Sequence, residues 1–301
     1  MKILVVGGTG MIGGHIASYL AEQGNAVTVG ARKAPQAGTP MADMPFIQGD
    51  YVAGTYKKED LVGFDAVVFA AGNDVRHIPE GEGDAYWERA NTQAIPRFAA
   101  LAKEAGVPRF VNVGSFYSHI APELIQTNAY VRSRHETVAA LCRLNDAGFT
   151  VCSVDAPFVV GAPSGLSVPM FEAYTQYAEG KFAPMPAFGP KGGTNFISTL
   201  SLAEAVWGAV QRGEGGKAYL VGDENLSFAE YFAHFFTAAG SDAKVEELDQ
   251  EHPMLPDVAI FTGRGNYVSY EPDAQETALL GYRRNDVKRA IEALVAQYRS
   301  N

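Results

Sequence analysis

Three side chains in the middle of the chain have the types and spacing that acid–base chemistry at a carbonyl group needs. Tyr130 and Arg134 are four residues apart in a stretch that predicts a helix, so they share one helix face. A tyrosine hydroxyl titrates at about pH 10 in water, and a neighbouring cation favours its ionised form. Ser115 follows a strand-like run, from which its hydroxyl could bond the same carbonyl oxygen. The trio predicts a catalytic site in which Tyr130 protonates that oxygen as a hydride reaches the carbon.

A glycine-rich turn follows the first predicted strand and opens the first predicted helix. Its spacing lets the backbone turn sharply, approach a pyrophosphate closely and point helix N-terminal amides at the negative charge. A flexible turn without a ligand is the alternative. The strand before the turn, the helix after it and a second strand about twenty residues later favour a dinucleotide site. The cofactor-binding residues predicted here are Gly7, Thr9, Gly10, Met11, Ile12 and Gly13.

The end of the second predicted strand indicates which dinucleotide binds. A site for NAD normally has a carboxylate there that bonds the adenosine ribose, whereas this chain has Ala31 followed by Arg32 and Lys33. The two cations would attract a 2′-phosphate, although they could also be solvated loop charges. NADP(H) is therefore the predicted cofactor, and NAD(H) is the alternative.

Two later strand ends extend the predicted cofactor site. The third strand leads into Asp50 and Tyr51, and the Asp50 carboxylate could bond the adenine amino group or cap a turn. After the fourth strand, Ala70, Ala71 and Gly72 are small enough for the backbone to run beside the middle of the cofactor. Both predictions depend on the glycine turn.

Strand-like runs alternate with helical patterns, which predicts a parallel sheet. The runs are apolar almost throughout, as strands covered on both faces require. The predicted fold class is α/β, a Rossmann-type doubly wound parallel sheet with a smaller, discontinuous C-terminal substrate-binding lobe. The predicted strands are 3–6, 26–29, 46–47, 66–70, 110–113, 150–154 and 217–221; helix ends are marked by Gly24, Gly106 and Gly148, and helix starts by Ser201 with Glu204 and Ser227 with Glu230.

The pattern changes after Pro157, where proline, glycine and aromatic residues replace the regular alternation of strands and helices. We therefore divide the chain by function. Residues 1–160 are predicted to bind the dinucleotide, and 190–225 to return to that domain. Residues 161–189 and 226–283 are predicted to form the substrate-binding lobe, and 284–301 the C-terminal helix.

The composition excludes several classes of partner. The chain has 301 residues with 24 basic and 34 acidic side chains, so its net charge of -10 would repel nucleic acids and anionic membranes. No spanning helix is predicted, because no run of eighteen apolar residues occurs. The apolar run at 3–6 is too short for an export signal. Two cysteines, Cys142 and Cys152, are too few for a disulfide framework or a metal cluster. We expect a cytoplasmic protein without a metal.

These motifs together resemble the extended short-chain dehydrogenases/reductases, which include nucleotide-sugar epimerases and dehydratases and dihydroflavonol-reductase-like enzymes. The resemblance spans nearly the whole chain. It implies an adenine-side role for Asp50 and a homodimer formed through helices near 93–105 and 128–147. The further cofactor-binding residues that it implies are Asn91, Pro157, Val159 and Val160.

Two positions depart from the family pattern. Arg134 stands where the family has a lysine, and Ala156 stands where an arginine usually precedes the proline of the nicotinamide loop. Arginine keeps the positive charge but cannot release a proton, so a lysine-based proton relay is in doubt.

Three functions remain open from the sequence. The first is a reductase or dehydrogenase of a small or moderately apolar carbonyl or alcohol, with Tyr117 and His119 facing the substrate; a surface-loop position is the alternative for His119. The second is a nucleotide-sugar epimerase or dehydratase, which needs cations for the diphosphate, and those after Pro157 are scattered. The third is a non-catalytic sensor of NADP(H) that binds a protein partner.

Overall fold

The computed structural model describes residues 1–72 and 78–299. Its strands are β1 (Lys2–Val6), β2 (Ala26–Ala31), β3 (Phe46–Gln48), β4 (Ala66–Phe69), β5 (Arg109–Ser115), β6 (Thr150–Ala156), β7 (Phe158–Val160), β8 (Phe188–Pro190), β9 (Gly193–Ser198), β10 (Lys217–Leu220), β11 (Glu224–Ser227) and β12 (Glu246–Leu248). Seven of these form the central sheet in the order β3-β2-β1-β4-β5-β6-β10. Each neighbouring pair in this sheet is parallel, as the apolar runs predict.

Helices cover both faces of this sheet. They are α1 (Met11–Glu22), α2 (Ala85–Trp87), α3 (Ala94–Glu104), α4 (Tyr117–Ile120), α5 (Leu124–Thr127), α6 (Ala129–Arg143), α7 (Pro169–Ala178), α8 (Thr199–Arg212), α9 (Phe228–Ala238), α10 (Ala274–Leu280) and α11 (Val287–Arg299), with a π-helix at Glu88–Gln93 and 3-10 helices at Pro40–Asp43, Lys58–Leu61 and Asp257–Ala259. Ile3 of β1 packs into a core with α1 and α8, whereas its neighbour Leu4 packs into a core with α3. This alternation confirms the doubly wound α/β fold.

The remaining strands lie outside the central sheet. β7, β9 and β11 form a three-stranded sheet, and β8 pairs with β12. Aromatic side chains from α7 and α9 fill a third core, in which Phe171, Tyr174, Phe232 and Phe235 are fully buried. β10 pairs with β6 in the central sheet. The functional division of the chain into two lobes stays a prediction, and residues 300–301 of the predicted C-terminal helix lie outside the described residues.

The helix ends test the sequence signals one by one. Gly24 and Gly106 have the left-handed conformation after α1 and α3, with φ of 79° and 81°. The prediction for Gly148 is wrong, because α6 already ends at Arg143 and the Gly148 amide donates to the Asp146 carboxylate in a turn.

No helix in the described ranges is both long and apolar enough to cross a membrane.

The two predicted capping boxes have different outcomes. Ser227 and Glu230 cap α9 reciprocally, as predicted. The prediction for Ser201 is wrong, because α8 begins two residues earlier and Ser198 accepts the Ser201 amide hydrogen bond. Glu204 instead accepts hydrogen bonds from Arg283, including one from its backbone amide at 2.8 Å.

Candidate active site

The glycine turn packs so tightly that side chains are excluded at two of its three predicted positions. Gly7 has φ +83°, and a Cβ there would lie 2.8 Å from the backbone of Ala70, the residue after β4. A Cβ at Gly13 would lie 2.2 Å from the Gly7 carbonyl oxygen. Gly10 differs, because its Cβ would meet only that same oxygen at 3.4 Å, an ordinary contact. There is therefore space beside Gly10.

The N-terminus of α1 starts at this open position. Gly10 is the N-cap residue of α1, and no side chain caps it in the part of the chain that the structure describes. The first amides of α1, at Met11 and Ile12, are therefore available to an anion. Thr9 lies in the turn between these elements. The residues fit the diphosphate of a dinucleotide.

The adenosine side of the predicted site lies at the ends of β2 and β3. Arg32 and Lys33 are exposed directly after β2. Burial raises the pKa of Tyr51, and the positive charges of Arg134 and Arg32 oppose that rise. The Tyr51 hydroxyl donates to the Ala71 carbonyl oxygen at 3.0 Å and joins the loops after β3 and β4.

Asp50 takes the turn-capping role that the sequence left open. Its Oδ1 accepts the amide hydrogen bonds of Val52 at 2.8 Å and Ala53 at 3.2 Å. A contact between Asp50 and adenine stays a prediction.

The three candidate catalytic residues come together from two adjacent elements. Ser115 is the last residue of β5, and Tyr130 is the second residue of α6. α6 can start at this point because the Asn128 side chain accepts the Val131 amide hydrogen bond at 3.1 Å. Ser115, Tyr130 and Arg134 all line one cleft.

Arg134 is held firmly at the bottom of the cleft. Its side chain is buried, and Nη2 donates to the Val113 carbonyl oxygen at 2.6 Å. Its other terminal nitrogen lies against Gly72, where a Cβ would come within 2.0 Å of Nη1. The guanidinium therefore sits between the carboxyl ends of β4 and β5.

The cleft has a volume of about 510 Å³ and joins the glycine turn to the C-terminal part of the chain. Its far wall is apolar and is built by α7 and the segment 254–261. Among the described residues that line the cleft, Arg134 has the only charged side chain. The predicted site residues that line it are Met11, Ile12, Ala70, Gly72, Ser115, Tyr117, Tyr130, Arg134, Pro157 and Val159, and those of the far wall are Met170, Ala173, Tyr174, Met254, Leu255, Pro256, Ala259 and Phe261.

Two residues implied by the resemblance lie behind the cleft wall. Asn91 is buried in the π-helix, and its Nδ2 donates to Ser133 Oγ of α6 at 3.1 Å. Val160 is buried in the aromatic core. In this structure both support neighbouring elements, and their contact with the cofactor stays a prediction.

His119 is exposed, in line with the surface alternative, although it belongs to a short helix and not to a loop. It lies in the short helix α4, and its Nε2 is 2.8 Å from Oδ2 of the fully buried Asp155. This hydrogen bond raises the pKa of His119. His119 is absent from the described cleft lining, and a contact with a substrate stays a prediction. Its partner Asp155 also accepts a hydrogen bond from Ser153 Oγ at 2.5 Å.

Tyr117, in contrast, lines the cleft, and its contact with a substrate stays a prediction. Its hydroxyl is 3.3 Å from Thr194 Oγ1, and burial raises its pKa to about 12. The Tyr117 phenol is therefore neutral at pH 7.

The model of the NAD-dependent epimerase/dehydratase family matches residues 3–222. The chain belongs to this family. A search of curated proteins found no match, whereas solved structures similar to the chain show the same fold.

Two of these structures illustrate the likeness. The Bordetella bronchiseptica enzyme WbmG in complex with NAD has a TM-score of 0.75 at 20% identity, covering 100% of this chain and 94% of that one. The dTDP-glucose 4,6-dehydratase DesIV from Streptomyces venezuelae, a double mutant with NAD and DAU bound, also has a TM-score of 0.75 at 20% identity, covering 100% and 98%.

Three residues in or near the candidate site of this family member were not predicted from the sequence. Phe261 and Met254 reach the cleft from a region more than 120 residues after Tyr130, and no motif marks them. Asp155 is equally hidden in an apolar strand. Gly114, opposite Asp155 in the β5–β6 register, is the one available signal, because a Cβ there would lie 1.7 Å from the carboxylate.

Proposed function

We propose that this family member is an NADP(H)-dependent oxidoreductase that reduces a carbonyl or oxidises an alcohol on a small or moderately apolar substrate. The cleft carries this proposal. Its apolar far wall faces Ser115, Tyr130 and Arg134, and the glycine turn opens at its other end. A bound nicotinamide dinucleotide supplies or accepts the hydride.

The three side chains have complementary roles in this proposal. The Ser115 hydroxyl orients the substrate oxygen from the end of β5. Tyr130 donates a proton to that oxygen during reduction and takes it back during oxidation. Arg134 places a fixed positive charge one helical turn away, which favours the ionised tyrosine after the proton has left. The buried, bonded position of Arg134 keeps this geometry fixed.

The preference for NADP(H) rests on the end of β2. This strand ends at Ala31, and the next two residues are exposed cations. A carboxylate that would bind ribose hydroxyls is missing from these three positions. Arg32 and Lys33 provide charge and hydrogen-bond donors for a 2′-phosphate.

A nucleotide-sugar epimerase or dehydratase is the second candidate, because the family and the similar structures point to it. Its substrate would need cations for the diphosphate. In the part of the chain that the structure describes, the far wall offers none, and Arg264 is paired with Asp249 and Asp257. A non-catalytic NADP(H) sensor is the third candidate. A homodimer through α3 and α6 and a cytoplasmic location also stay predictions.

Cofactor binding and turnover test this proposal together. NADPH and NADH would be titrated by fluorescence, and NADPH consumption would be followed with aldehydes and ketones. UDP-glucose and dTDP-glucose would be assayed separately for epimerisation or dehydration. We expect tighter NADPH binding and turnover of carbonyl compounds. Turnover of a nucleotide sugar with retained NAD would favour the second candidate.

Tyr130→Phe tests the proton donor. We expect kcat to fall by roughly a hundred-fold or more, with NADPH affinity unchanged. Tyr267→Phe is the matched control, because Tyr267 is 55% exposed and outside the described cleft lining. An unchanged turnover in Tyr130→Phe would refute the catalytic role.

A further inference from the structure

One aromatic side chain from the C-terminal part of the chain covers the candidate proton donor. The ring of Phe261 stacks on Tyr130, with centroids 4.6 Å apart and planes at 17°. Phe261 also meets Tyr117 edge-on at 5.2 Å, and Trp87 meets Tyr130 edge-on at 5.2 Å. One face of the Tyr130 ring is therefore occupied by Phe261, and the Trp87 ring contacts Tyr130 at a steep angle.

The segment that carries Phe261 is fixed on both sides. Upstream, His252 is fully buried, and its ring stacks on Phe232 of α9 at 4.4 Å. Its Nδ1 also accepts the Met254 amide hydrogen bond at 3.2 Å. Downstream, Arg264 bonds Asp257 through Nε at 3.0 Å. Phe261 lies between these two attachments, so its contact with Tyr130 is supported by the surrounding structure.

The stack restricts how a substrate can reach the tyrosine hydroxyl. A molecule cannot lie on the face of Tyr130 that Phe261 covers, so it must approach through the rest of the cleft, which α7 also lines. The walls of this approach are apolar and include Met170 and Met254. Methionine side chains adapt to slim apolar groups, whereas a rigid stacked ring limits the width.

We propose that Phe261 is a positioning and specificity-determining residue. It fixes the plane of the Tyr130 ring and admits carbonyl compounds with a slim apolar substituent, while it excludes wide ones. This inference rests on the proposed oxidoreductase function. It names the substrate class of that site by width and polarity.

Steady-state reduction by NADPH of acetone, acetophenone and acetonaphthone, three methyl ketones of increasing width, tests the inference. An aromatic contact of this kind is worth a factor of roughly two to ten in rate or equilibrium. In Phe261→Ala we expect kcat for acetophenone to fall by that factor. We also expect kcat/KM for acetonaphthone relative to acetophenone to rise about ten-fold or more, because the width limit is removed.

Three further variants separate this role from a structural one. Phe261→Tyr keeps the ring and should retain wild-type selectivity. Phe261→Leu keeps apolar bulk without a flat ring, and its selectivity should resemble that of the alanine variant. The leucine variant therefore tests the same role if Phe261→Ala does not fold. Val258→Ala is the matched control, because Val258 lies on the same segment, is 66% exposed and is not in the described cleft lining.

The outcomes distinguish the inference from the proposed function. A selectivity ratio that is unchanged in Phe261→Ala and Phe261→Leu, with an active wild type, would overturn the role of Phe261 alone. A wild type that binds NADPH but reduces no carbonyl compound would overturn the oxidoreductase proposal, and this inference with it. NADPH affinity should stay at the wild-type value in every variant, because Phe261 lies on the substrate side of the cleft.

Discussion

Gly10→Ala tests whether the space beside Gly10 is needed for cofactor binding and not for the packing of the protein. The backbone of Gly10 is extended, with φ −93° and ψ 179°, which alanine adopts without strain. Its Cβ would contact only the Gly7 carbonyl oxygen at 3.4 Å. The loss of a glycine N-cap and the smaller entropy of the unfolded chain partly offset each other, so stability should change by less than about 1 kcal/mol.

Gly13→Ala is the contrasting perturbation. Its Cβ would lie 2.2 Å from the Gly7 carbonyl oxygen and 2.6 Å from the Gly7 carbonyl carbon, both backbone atoms in a tight turn. The turn and α1 must move apart, which costs about 3 kcal/mol of unfolding free energy by analogy with overpacked cores. We therefore expect Gly13→Ala to lose both stability and cofactor binding, and Gly10→Ala to lose only binding.

The assay combines urea unfolding with NADPH titration by fluorescence. A methyl group at Gly10 would stand where the diphosphate must approach α1, so we expect the Kd of NADPH to rise at least about ten-fold, or 1.4 kcal/mol. Gly83→Ala is the control, since its Cβ would have nothing within 4 Å. Wild-type NADPH affinity in Gly10→Ala would refute the placement of the diphosphate at this turn.

Three charged side chains give further predictions. Arg32→Ala should weaken NADPH binding about ten-fold and leave NADH binding unchanged; equal losses by fluorescence titration would contradict a 2′-phosphate contact. Arg134→Met should lower kcat at least about ten-fold and, because the Val113 carbonyl oxygen loses its donor, reduce the unfolding free energy by about 1–3 kcal/mol; an unchanged kcat would remove Arg134 from catalysis. The Asp155 hydrogen bond raises the pKa of His119, so its stabilisation is complete below the unfolded-state pKa of about 6.5 and is lost as pH rises through the folded pKa. Urea unfolding should therefore show the difference between wild type and His119→Gln shrinking from about pH 6 to pH 9, and a constant difference would contradict the ion pair.

Much of the fold was predictable because local patterns and long-range packing agree. Strands buried on both faces leave an apolar run in the sequence, and each run predicted a strand to within about two residues at either end. The failures at Gly148 and Ser201 share a physical cause. Both residues fit several local hydrogen-bond patterns. In the structure, the side chains of Asp146 and Ser198 accept the backbone hydrogen bonds of Gly148 and Ser201.

The candidate site was predictable only where one short segment determines the geometry. The glycine turn and the Tyr130–Arg134 spacing each lie within a few residues, so periodicity alone places them. Phe261 reaches the site through tertiary packing around His252, and no local pattern encodes that. His119 is the opposite case. It is close in sequence to Ser115, which suggested a position in the cleft, whereas in the structure its ring bonds the buried Asp155.

The replacement of the family lysine by Arg134 is matched by the residues around it. The larger guanidinium needs more room than an ammonium, and Gly72 provides it, because any Cβ there would come within 2.0 Å of Nη1. The planar group also has a fixed acceptor in the Val113 carbonyl oxygen. A buried cation without such partners would be costly. The site thus keeps a positive charge one helical turn from Tyr130, in a cavity shaped for arginine. This supports the proposed enzyme over the non-catalytic sensor, because a sensor has no need for a buried cation in the same cleft as a tyrosine.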